Sequence, residues 1–375
     1  MFPTNAYLAV GAVAAVTTAV LTPIVGFVAK KLGWVVAPDP RRIHTRPTPD
    51  VGGIAMFVGF LAAMAAARLS DTFDGLFARN SEPRGVLIAA SVIFLVGLID
   101  DVHEISAPAK VFGTVIAGAV LVMFGVTMWF FRVPFLDVYY LADDWVPLIT
   151  VLWLFGMTTA INLIDGLDGL AAGVVGIGAL SFFLYSQKLG SGHLLLEPNI
   201  GPLMAIVAFG VCVGFLPFNF NPARIFMGDG GAMLLGLLMA VSTSVVGGRA
   251  DPNPPTPSVG QTYFFFAPVV IPFLILGVPI LDTLWAILRR ARGRQGLATA
   301  DKRHLHHRLL ELGHGQRRSV MILWAWTALL SAFVLYPVFT GSGRGSIPIG
   351  AGMLALLLFT VLHPRLRRQR EAGSS

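Results

Sequence analysis

Residues 148–185 read LITVLWLFGMTTAINLIDGLDGLAAGVVGIGALSFFLY: two apolar runs with a short acidic segment between them. A membrane-spanning helix needs roughly 20 mostly apolar residues, so this stretch predicts two spans joined by a short loop. The loop spaces Asn162, Asp165 and Asp168 three residues apart. A charge is costly to bury unless it is paired or coordinates a metal. We therefore expect these polar side chains to bind a metal, a ligand or another polar group.

Composition extends the membrane prediction to the whole chain. Of the 375 residues, 55% are hydrophobic and 13% are charged, and the mean hydropathy is +0.74. A soluble domain is nearer a quarter charged. We therefore expect an all-α, polytopic integral membrane protein with about eleven transmembrane helices. The predicted spans are residues 5–28, 51–68, 85–99, 110–131, 146–162, 170–186, 200–217, 231–247, 263–287, 319–338 and 347–363.

The Lys and Arg residues predict the orientation. With eleven spans, the side that contains loop 29–50 carries 20 of the 27 Lys and Arg residues. Cytoplasmic loops hold the excess of basic residues, so the N-terminus is predicted outside and the C-terminus in the cytoplasm. We expect residues 1–363 to form a single transmembrane catalytic domain with cytoplasmic active-site loops, followed by a basic cytoplasmic tail at 364–375. This bias accounts for most of the net charge of +7 without a nucleic-acid partner.

Five polar clusters fall on the predicted cytoplasmic side of the membrane. They are RRIHTRPTPDVGG (41–53), GLIDD (97–101), NLIDGLDGL (162–170), NFNPARIFMGDGG (219–231) and DKRHLHHRLLELGHG (301–315). Acidic residues scattered at random would not all lie on one face. This face is therefore the predicted active site.

The acidic residues on this face predict a magnesium site. Asp100 and Asp101 are adjacent, and like charges at that distance repel each other unless a cation is present. Mg²⁺ prefers a few carboxylates together with substrate phosphates and water. The pair alone is also compatible with a solvated helix end, but Asp165, Asp168 and Asp229 on the same side favour the metal. Glycines on both sides of Asp229 allow backbone to approach a ligand closely.

The basic clusters predict anion binding. His304, His306 and His307 lie in a loop rich in Lys and Arg. Histidines also ligate zinc, and a solvated basic loop is a third interpretation, but carboxylates dominate the other loops. With Arg41, Arg42 and His44, these residues predict a cationic basin suited to a diphosphate.

The ordered motifs GLIDD, NLIDGLDGL, NFNPARIFMGDGG and HLHH resemble the polyprenyl-phosphate N-acetylhexosamine-1-phosphate transferase family, from residue 41 to residue 315. The resemblance implies an enzyme of the bacterial plasma membrane with its active site facing the cytoplasm. It implies a Mg²⁺-dependent reaction, with Mn²⁺ as a substitute, in which UDP-N-acetylglucosamine and a polyprenyl phosphate lipid give polyprenyl-diphospho-N-acetylglucosamine and UMP. This would be the first membrane step of cell-envelope polysaccharide synthesis. A homodimer is left open.

The related phospho-N-acetylmuramoyl-pentapeptide transferases of peptidoglycan synthesis are the alternative branch. That branch usually has HHH where this chain has HLHH, and PTMGG where this chain has PTPDVGG. These departures favour the N-acetylglucosamine branch.

The resemblance also implies roles for the site residues. Asp229 and one of Asp100 and Asp101 would bind the metal, and the other member of that pair would be the base. The residues expected to hold nucleotide, sugar or metal are Asn162, Asp165, Asp168 and Asn219, with Asp165 and Asp168 counted as catalytic. Those expected to grip the diphosphate or the sugar are Arg41, His44, Arg303, His304, His306 and His307.

Two alternatives concern the chemistry. A lipid phosphate monoester is already largely ionised at neutral pH, which favours direct attack over a covalent aspartyl intermediate. Carboxylates in membrane proteins also mark ion-coupled transporters, whose sites lie near the middle of the bilayer. Here the acidic clusters are predicted at helix ends, which favours the enzyme.

Overall fold

The computed structural model describes residues 2–36, 47–78, 80–133, 137–248 and 314–372. The chain is nearly all-α. Its helices are, in order, α1 (Thr4–Leu32), α2 (Gly53–Leu69), α3 (Asp74–Ala78), α4 (Glu82–His103), α5 (Ala107–Met123), α6 (Trp145–Ile164), α7 (Leu170–Ser191), α8 (Gly201–Asn219), α9 (Gly228–Gly247), α10 (Gln316–Thr340) and α11 (Ser346–Ala372). Short 3₁₀ turns at Asp71–Phe73 and Gly343–Gly345 precede α3 and α11.

Several of these helices are long and apolar enough to cross a membrane. In the described part of the chain, eight meet that test, and a ninth is added if the pair Gly53–Leu69 and Asp71–Ala78, bent by 83°, is one broken span. Helix α5 is apolar but shorter. The protein is therefore a multi-pass membrane protein, as predicted. The predicted span 263–287 lies outside the described residues.

Two small antiparallel sheets depart from the all-α prediction. Strand β1 (Val35–Val36) pairs with β2 (Thr48–Pro49), and β3 (Phe130–Val133) pairs with β4 (Asp137–Tyr140). The predicted span 110–131 was wrong at its end. The helix stops at Met123, because the chain turns at Gly125 in the left-handed region, with φ of +80°, and then enters β3.

Helix α9 is the centre of the bundle. Every residue from Gly230 to Gly247 is buried, and α2, α4, α6, α7 and α8 pack against it. Apolar side chains instead face outward on the peripheral helices, for example Val16 and Phe27 of α1, which are 63% and 60% exposed. An apolar outer surface is what lipid requires. Helix α9, which has Asp229 in its first turn, is therefore shielded from lipid by the helices that surround it.

Helix ends from distant parts of the chain meet at one end of the bundle, which we call the carboxylate end. Helices α4 and α6 end there, close to Asp100 and Asp165, and α5 and α9 begin there, at Lys110 and Asp229. Helix α1 begins at the opposite end, where the Thr4 hydroxyl donates to Gln187 Oε1 (3.0 Å) near the end of α7. The fold thus gathers the acidic motifs at a single level of the bundle.

Candidate active site

Asp101 holds the N-terminus of α9. Its Oδ1 accepts the N–H of Asp229 (2.6 Å) and its Oδ2 accepts the N–H of Gly230 (3.0 Å). The first N–H groups of a helix have no partner within the helix and carry partial positive charge. The Asp101 carboxylate satisfies two of them, which joins the end of α4 to the start of α9.

Lys110 bridges two carboxylates at the carboxylate end. Its Nζ lies 2.6 Å from Asp100 Oδ2 and 2.5 Å from Asp229 Oδ2. Asp100 Oδ1 accepts the N–H of Ile105 (2.8 Å), and Asn162 Nδ2 donates to Asp229 Oδ2 (3.1 Å). These side chains are partly exposed: Lys110 by 29%, Asp229 by 23% and Asp100 by 14%. A polar ligand can therefore reach the cluster.

Glycines allow this close assembly. A Cβ atom at Gly97 would lie 2.5 Å from the Cα of Gly230, so α4 and α9 touch through backbone. Gly228 has φ of +67°, and a Cβ there would lie 2.5 Å from both Asp101 Oδ2 and the carbonyl oxygen of Asp50. The glycines of the MGDGG motif are thus required by packing at this junction.

A second backbone junction brings the PDVGG segment to the site. The N–H of Phe226 donates to the Pro49 carbonyl (2.8 Å), and the N–H groups of Gly52 and Gly53 donate to the carbonyls of Phe226 (2.9 Å) and Met227 (2.8 Å). Asp50, between these contacts, therefore lies beside Gly228. The sequence prediction did not include Asp50, although its motif was one of the five polar clusters.

The NLIDGLDGL loop contributes Asp165 and Asp168. Burial raises the pKa of Asp165 well above its usual range, and the neighbouring carboxylates of Asp50 and Asp229 raise it further. Asp168 Oδ2 accepts Asn221 Nδ2 (2.8 Å) and the N–H of Ala223 (3.0 Å). The loop therefore presents one carboxyl group in an acidic environment and another that is held by the segment before α9.

Asn219 is buried, with 1% of its surface exposed. Its Oδ1 accepts the N–H of Gly169 (3.0 Å), and its Nδ2 donates to the Ile225 carbonyl (3.1 Å). Both ends of the amide are thus bonded to backbone. This geometry favours a structural brace between the two loops over the substrate contact expected from the sequence.

The residues present fit a Mg²⁺ ion. Among the described residues, no group of three or more His, Cys, Asp or Glu side chains is placed to hold a metal ion. However, oxygens of Asp100 and Asp229 converge on one cationic atom, Lys110 Nζ. Mg²⁺ usually takes one or two carboxylates together with substrate phosphates and water, and this pair meets that requirement.

The structure does not test the predicted basic residues. Arg41, His44, Arg303, His304, His306 and His307 lie outside the described residues. Sequence reasoning had counted Lys110 only as a cytoplasmic charge and had not singled out Asn221. The sequence signal for Lys110 was a Lys that follows two adjacent aspartates closely, at the start of the next apolar run.

The fold and the site together define a polytopic membrane protein with a cluster of carboxylates around Lys110 at its helix ends. Residues 84–247 match the model of "Glycosyl transferase family 4", a region that includes the five aspartates of the predicted site. The chain belongs to this family, the polyprenyl-phosphate N-acetylhexosamine-1-phosphate transferases.

Three relatives illustrate the similarity. The decaprenyl-phosphate N-acetylglucosaminephosphotransferase of Mycolicibacterium smegmatis is 34% identical, over 96% of this chain and 88% of its own. A probable undecaprenyl-phosphate N-acetylglucosaminyl 1-phosphate transferase of Bacillus subtilis is 36% identical, over 86% and 83%. The phospho-N-acetylmuramoyl-pentapeptide-transferase of Moorella thermoacetica is 30% identical, over 86% and 96%. The similarity therefore extends over most of the chain.

Proposed function

We propose that the protein transfers N-acetylglucosamine-1-phosphate from UDP-N-acetylglucosamine to a polyprenyl phosphate, in the first membrane step of cell-envelope polysaccharide synthesis. The observation that carries the proposal is the Asp100–Lys110–Asp229 cluster at the helix ends of a membrane bundle. A lipid phosphate and a soluble nucleotide sugar can meet there, at the membrane surface.

The names of the relatives support this donor. The two relatives named for N-acetylglucosamine phosphotransfer are more similar to this chain than the one named for the muramoyl-pentapeptide substrate. The HLHH and PTPDVGG motifs favour the same branch. Transfer of phospho-N-acetylmuramoyl-pentapeptide is the second candidate, because the Moorella relative also covers most of the chain.

Asp100 and Asp229 would hold Mg²⁺, or Mn²⁺ as a substitute, and the metal would supply positive charge to the donor diphosphate. Asp101 would act as a positioning residue, because both of its oxygens bind the backbone of α9. Asn162 donates to Asp229 and would orient that carboxylate. The predicted basic residues of loops 41–46 and 301–313 remain candidates for gripping the diphosphate.

The reaction that these residues support is phosphoryl transfer. An oxygen of the polyprenyl phosphate attacks the phosphorus that bears the sugar. The bond from this phosphorus to the oxygen shared with UMP breaks, and UMP leaves with that oxygen. Such transfers depend on in-line positioning and charge neutralisation, and the Lys110 ammonium can contribute the latter.

The hydrogen bonds of the aspartate pair support direct attack by the lipid. Asp100 is bonded at one oxygen to Ile105 and at the other to Lys110, while both oxygens of Asp101 accept backbone N–H groups. A nucleophilic carboxylate would have to give up such bonds first. Rapid-quench measurements with labelled UDP-sugar and lipid-stripped enzyme distinguish the routes. We expect no UMP without acceptor, whereas a stoichiometric burst with label retained on the protein would indicate a covalent intermediate.

We also propose eleven spans, with the carboxylate end in the cytoplasm of a bacterium. Helix α9 runs away from the carboxylate end, yet α10 begins there, where Arg317 Nε donates to the Asn221 carbonyl (2.9 Å). The described residues on either side of the gap, Gly248 and His314, therefore lie at opposite ends of the bundle, which supports the predicted span at 263–287. Helix α11 returns towards the carboxylate end, since the Thr360 carbonyl lies 2.8 Å from Nε2 of His314, just before α10.

The direct test pairs purified enzyme and one polyprenyl phosphate with a series of UDP-sugars that includes UDP-N-acetylglucosamine and UDP-N-acetylmuramoyl-pentapeptide. Lipid product and UMP are both measured, with and without Mg²⁺. We expect equal amounts of the two products with UDP-N-acetylglucosamine. Turnover with the pentapeptide donor instead would establish the alternative, and a lack of lipid product with every donor would refute the proposal.

A further inference from the structure

Asn221 joins three segments of the carboxylate end. Its Nδ2 donates to Asp168 Oδ2 (2.8 Å) in the loop between α6 and α7, and to Gln316 Oε1 (2.6 Å) in the first turn of α10. Asn221 itself belongs to the segment between α8 and α9. The half-buried Asn221 amide thus connects the NLIDGLDGL loop with the first residue of α10, Gln316, which lies 95 residues after Asn221 in the sequence.

Arg317 sets the orientation of this amide. Its Nε donates to the Asn221 carbonyl oxygen (2.9 Å) and lies within hydrogen-bonding distance of Asn221 Oδ1 (3.2 Å). A guanidinium only donates hydrogen bonds, and an ionised carboxylate only accepts them. Asn221 must therefore turn its oxygen towards Arg317 and its NH₂ group towards Asp168. The reverse orientation would set the NH₂ group against the Arg317 guanidinium, donor against donor, and the amide oxygen against the Asp168 carboxylate, acceptor against acceptor.

We propose that Asn221 and Arg317 are positioning residues that hold Asp168 and its loop in the geometry that binds the nucleotide-sugar donor. The inference rests on the proposed function. Arg317 lies outside the region matched by the family model, residues 84–247, and it acts from the helix that follows the predicted histidine loop. Formation of the first turn of α10 is in this way coupled to the donor site.

The contacts from Arg317 through Asn221 end at Asp168. They do not include the Asp100–Lys110–Asp229 cluster, which is held by separate bonds to Ile105 and Asn162. Loosening Asp168 should weaken the binding of the donor in the ground state and in the transition state alike, which raises KM and leaves kcat nearly unchanged. Each lost hydrogen bond to a charged group typically weakens an interaction by about tenfold. We therefore expect the KM for UDP-N-acetylglucosamine to rise about tenfold in Arg317→Ala and in Asn221→Ala.

The matched control is Arg318→Ala, which removes the same charge from the next position, also exposed. Arg317→Lys should recover part of the lost affinity, because a Lys can donate one of the bonds but lacks the planar guanidinium. Asn221→Asp should be worse than Asn221→Ala, since it sets a carboxylate against Asp168. The double variant Asn221→Ala with Arg317→Ala should match Asn221→Ala alone, because the contact from Arg317 to Asp168 runs through the Asn221 side chain. The bond from Arg317 to the backbone carbonyl of residue 221 survives in Asn221→Ala but does not involve the Asn221 amide that binds Asp168.

All variants are first compared with wild type for thermal unfolding in detergent, and their KM and kcat are then measured at saturating lipid. The inference is overturned if Arg317→Ala behaves like Arg318→Ala, if it lowers kcat at unchanged KM, or if the double variant shows the product of the two single effects. If wild-type enzyme fails to turn over any UDP-sugar, the proposed function fails and the inference with it. An active wild type with an unaffected Arg317→Ala variant refutes the inference alone.

Discussion

Lys110 lies where two carboxylates would otherwise face each other without a counter-charge. Asp100 and Asp229 each place an oxygen within hydrogen-bonding distance of its ammonium group. A divalent ion bound by the same two oxygens would compete with the ammonium for them. We therefore expect Lys110 to turn towards the phosphates of the donor when the metal binds, so that positive charge is retained on both sides of the reacting group.

This arrangement predicts opposite effects of a Lys110→Met substitution on turnover and on metal binding. Turnover should fall about 100-fold, because one cation is lost from the transition state, while the affinity for Mg²⁺ should rise because no ammonium competes with it. The assays are turnover and the Mg²⁺-dependent shift of thermal unfolding without substrates. Two controls accompany this variant. Lys110→Arg keeps the positive charge at the site, and Lys30→Met removes a positive charge from an exposed position on α1. Unchanged turnover and unchanged metal affinity in Lys110→Met would contradict the assignment.

Asp229 is expected to be the most sensitive of the carboxylates. Asp229→Asn keeps the volume of the side chain but removes the negative charge that pairs with Lys110 and that would bind the proposed metal, so we expect turnover to fall about 100-fold or more. Asp74→Asn is the matched control, since Asp74 is 59% exposed and pairs only loosely with Arg68 (3.6 Å). Turnover is measured at limiting and at saturating Mg²⁺. A normal rate for Asp229→Asn at limiting Mg²⁺ would exclude Asp229 as a ligand.

At the scale of secondary structure, the junction between α4 and α9 determines the geometry of the site. Asp101 caps the first turn of α9, and Gly97 lets the backbone of Gly230 approach α4 closely. The same contact sets the distance between Asp100 on α4 and Asp229 on α9. Helix packing and the chemistry of the site are therefore coupled at this junction.

Adding a single methyl group at this junction should impair both stability and activity. In Gly97→Ala, the new Cβ would meet backbone atoms of Gly230 and Asp229 at 2.5–2.7 Å, so the helices must separate. We expect a loss of about 1–3 kcal/mol in the free energy of unfolding and a clear fall in turnover. Gly156→Ala on α6 is the matched control, since its Cβ would have no neighbour within 4 Å among the described residues. Equal thermal stability and activity for the two variants would show that the junction tolerates movement.

At the scale of the whole molecule, the bundle has two chemically different ends. The carboxylate end gathers the polar motifs, and the opposite end holds the start of α1 and the turn at Asp71–Phe73. The surrounding helices bury α9 from Gly230 to Gly247 and leave Asp229 partly exposed at the carboxylate end, while the outer helices present apolar side chains to their surroundings. This arrangement supports the proposed location of the reaction, at the membrane surface where a lipid headgroup and a soluble substrate can meet.

The proposed orientation is tested by cysteine labelling in intact cells. Thr72 is exposed at the opposite end and Ser106 is exposed just before α5, at the carboxylate end. In a Cys212→Ala background, an impermeant thiol reagent should label Thr72→Cys and not Ser106→Cys, because the proposed orientation places the carboxylate end in the cytoplasm. Both should react after permeabilisation, which is the control. Labelling of Ser106→Cys alone in intact cells would reverse the orientation.

Much of the fold could be read from local composition. Long apolar runs predict membrane helices because lipid leaves no other way to satisfy backbone polar groups, and the acidic motifs between the runs could be assigned to one side from the alternation of spans. The end of α5 was missed because Gly125 and the β3–β4 hairpin interrupt an apolar run without a charge to mark the break. Family membership also followed from the ordered motifs, since each keeps its residues together in the chain.

The different roles of the polar residues depend on how the helices pack. Lys110 meets Asp229 across 119 residues, and Asn221 meets Asp168 across 53. No local pattern encodes such pairs. The first arises because α5 and α9 both pack against α4, and the second because the loop between α6 and α7 meets the segment before α9. The same contacts separate Asp101, whose oxygens hold a helix end, from the adjacent Asp100, which shares Lys110 with Asp229. The two neighbouring aspartates are chemically alike in the sequence. Their roles differ because Asp101 binds the backbone of α9, whereas Asp100 pairs with Lys110 of α5.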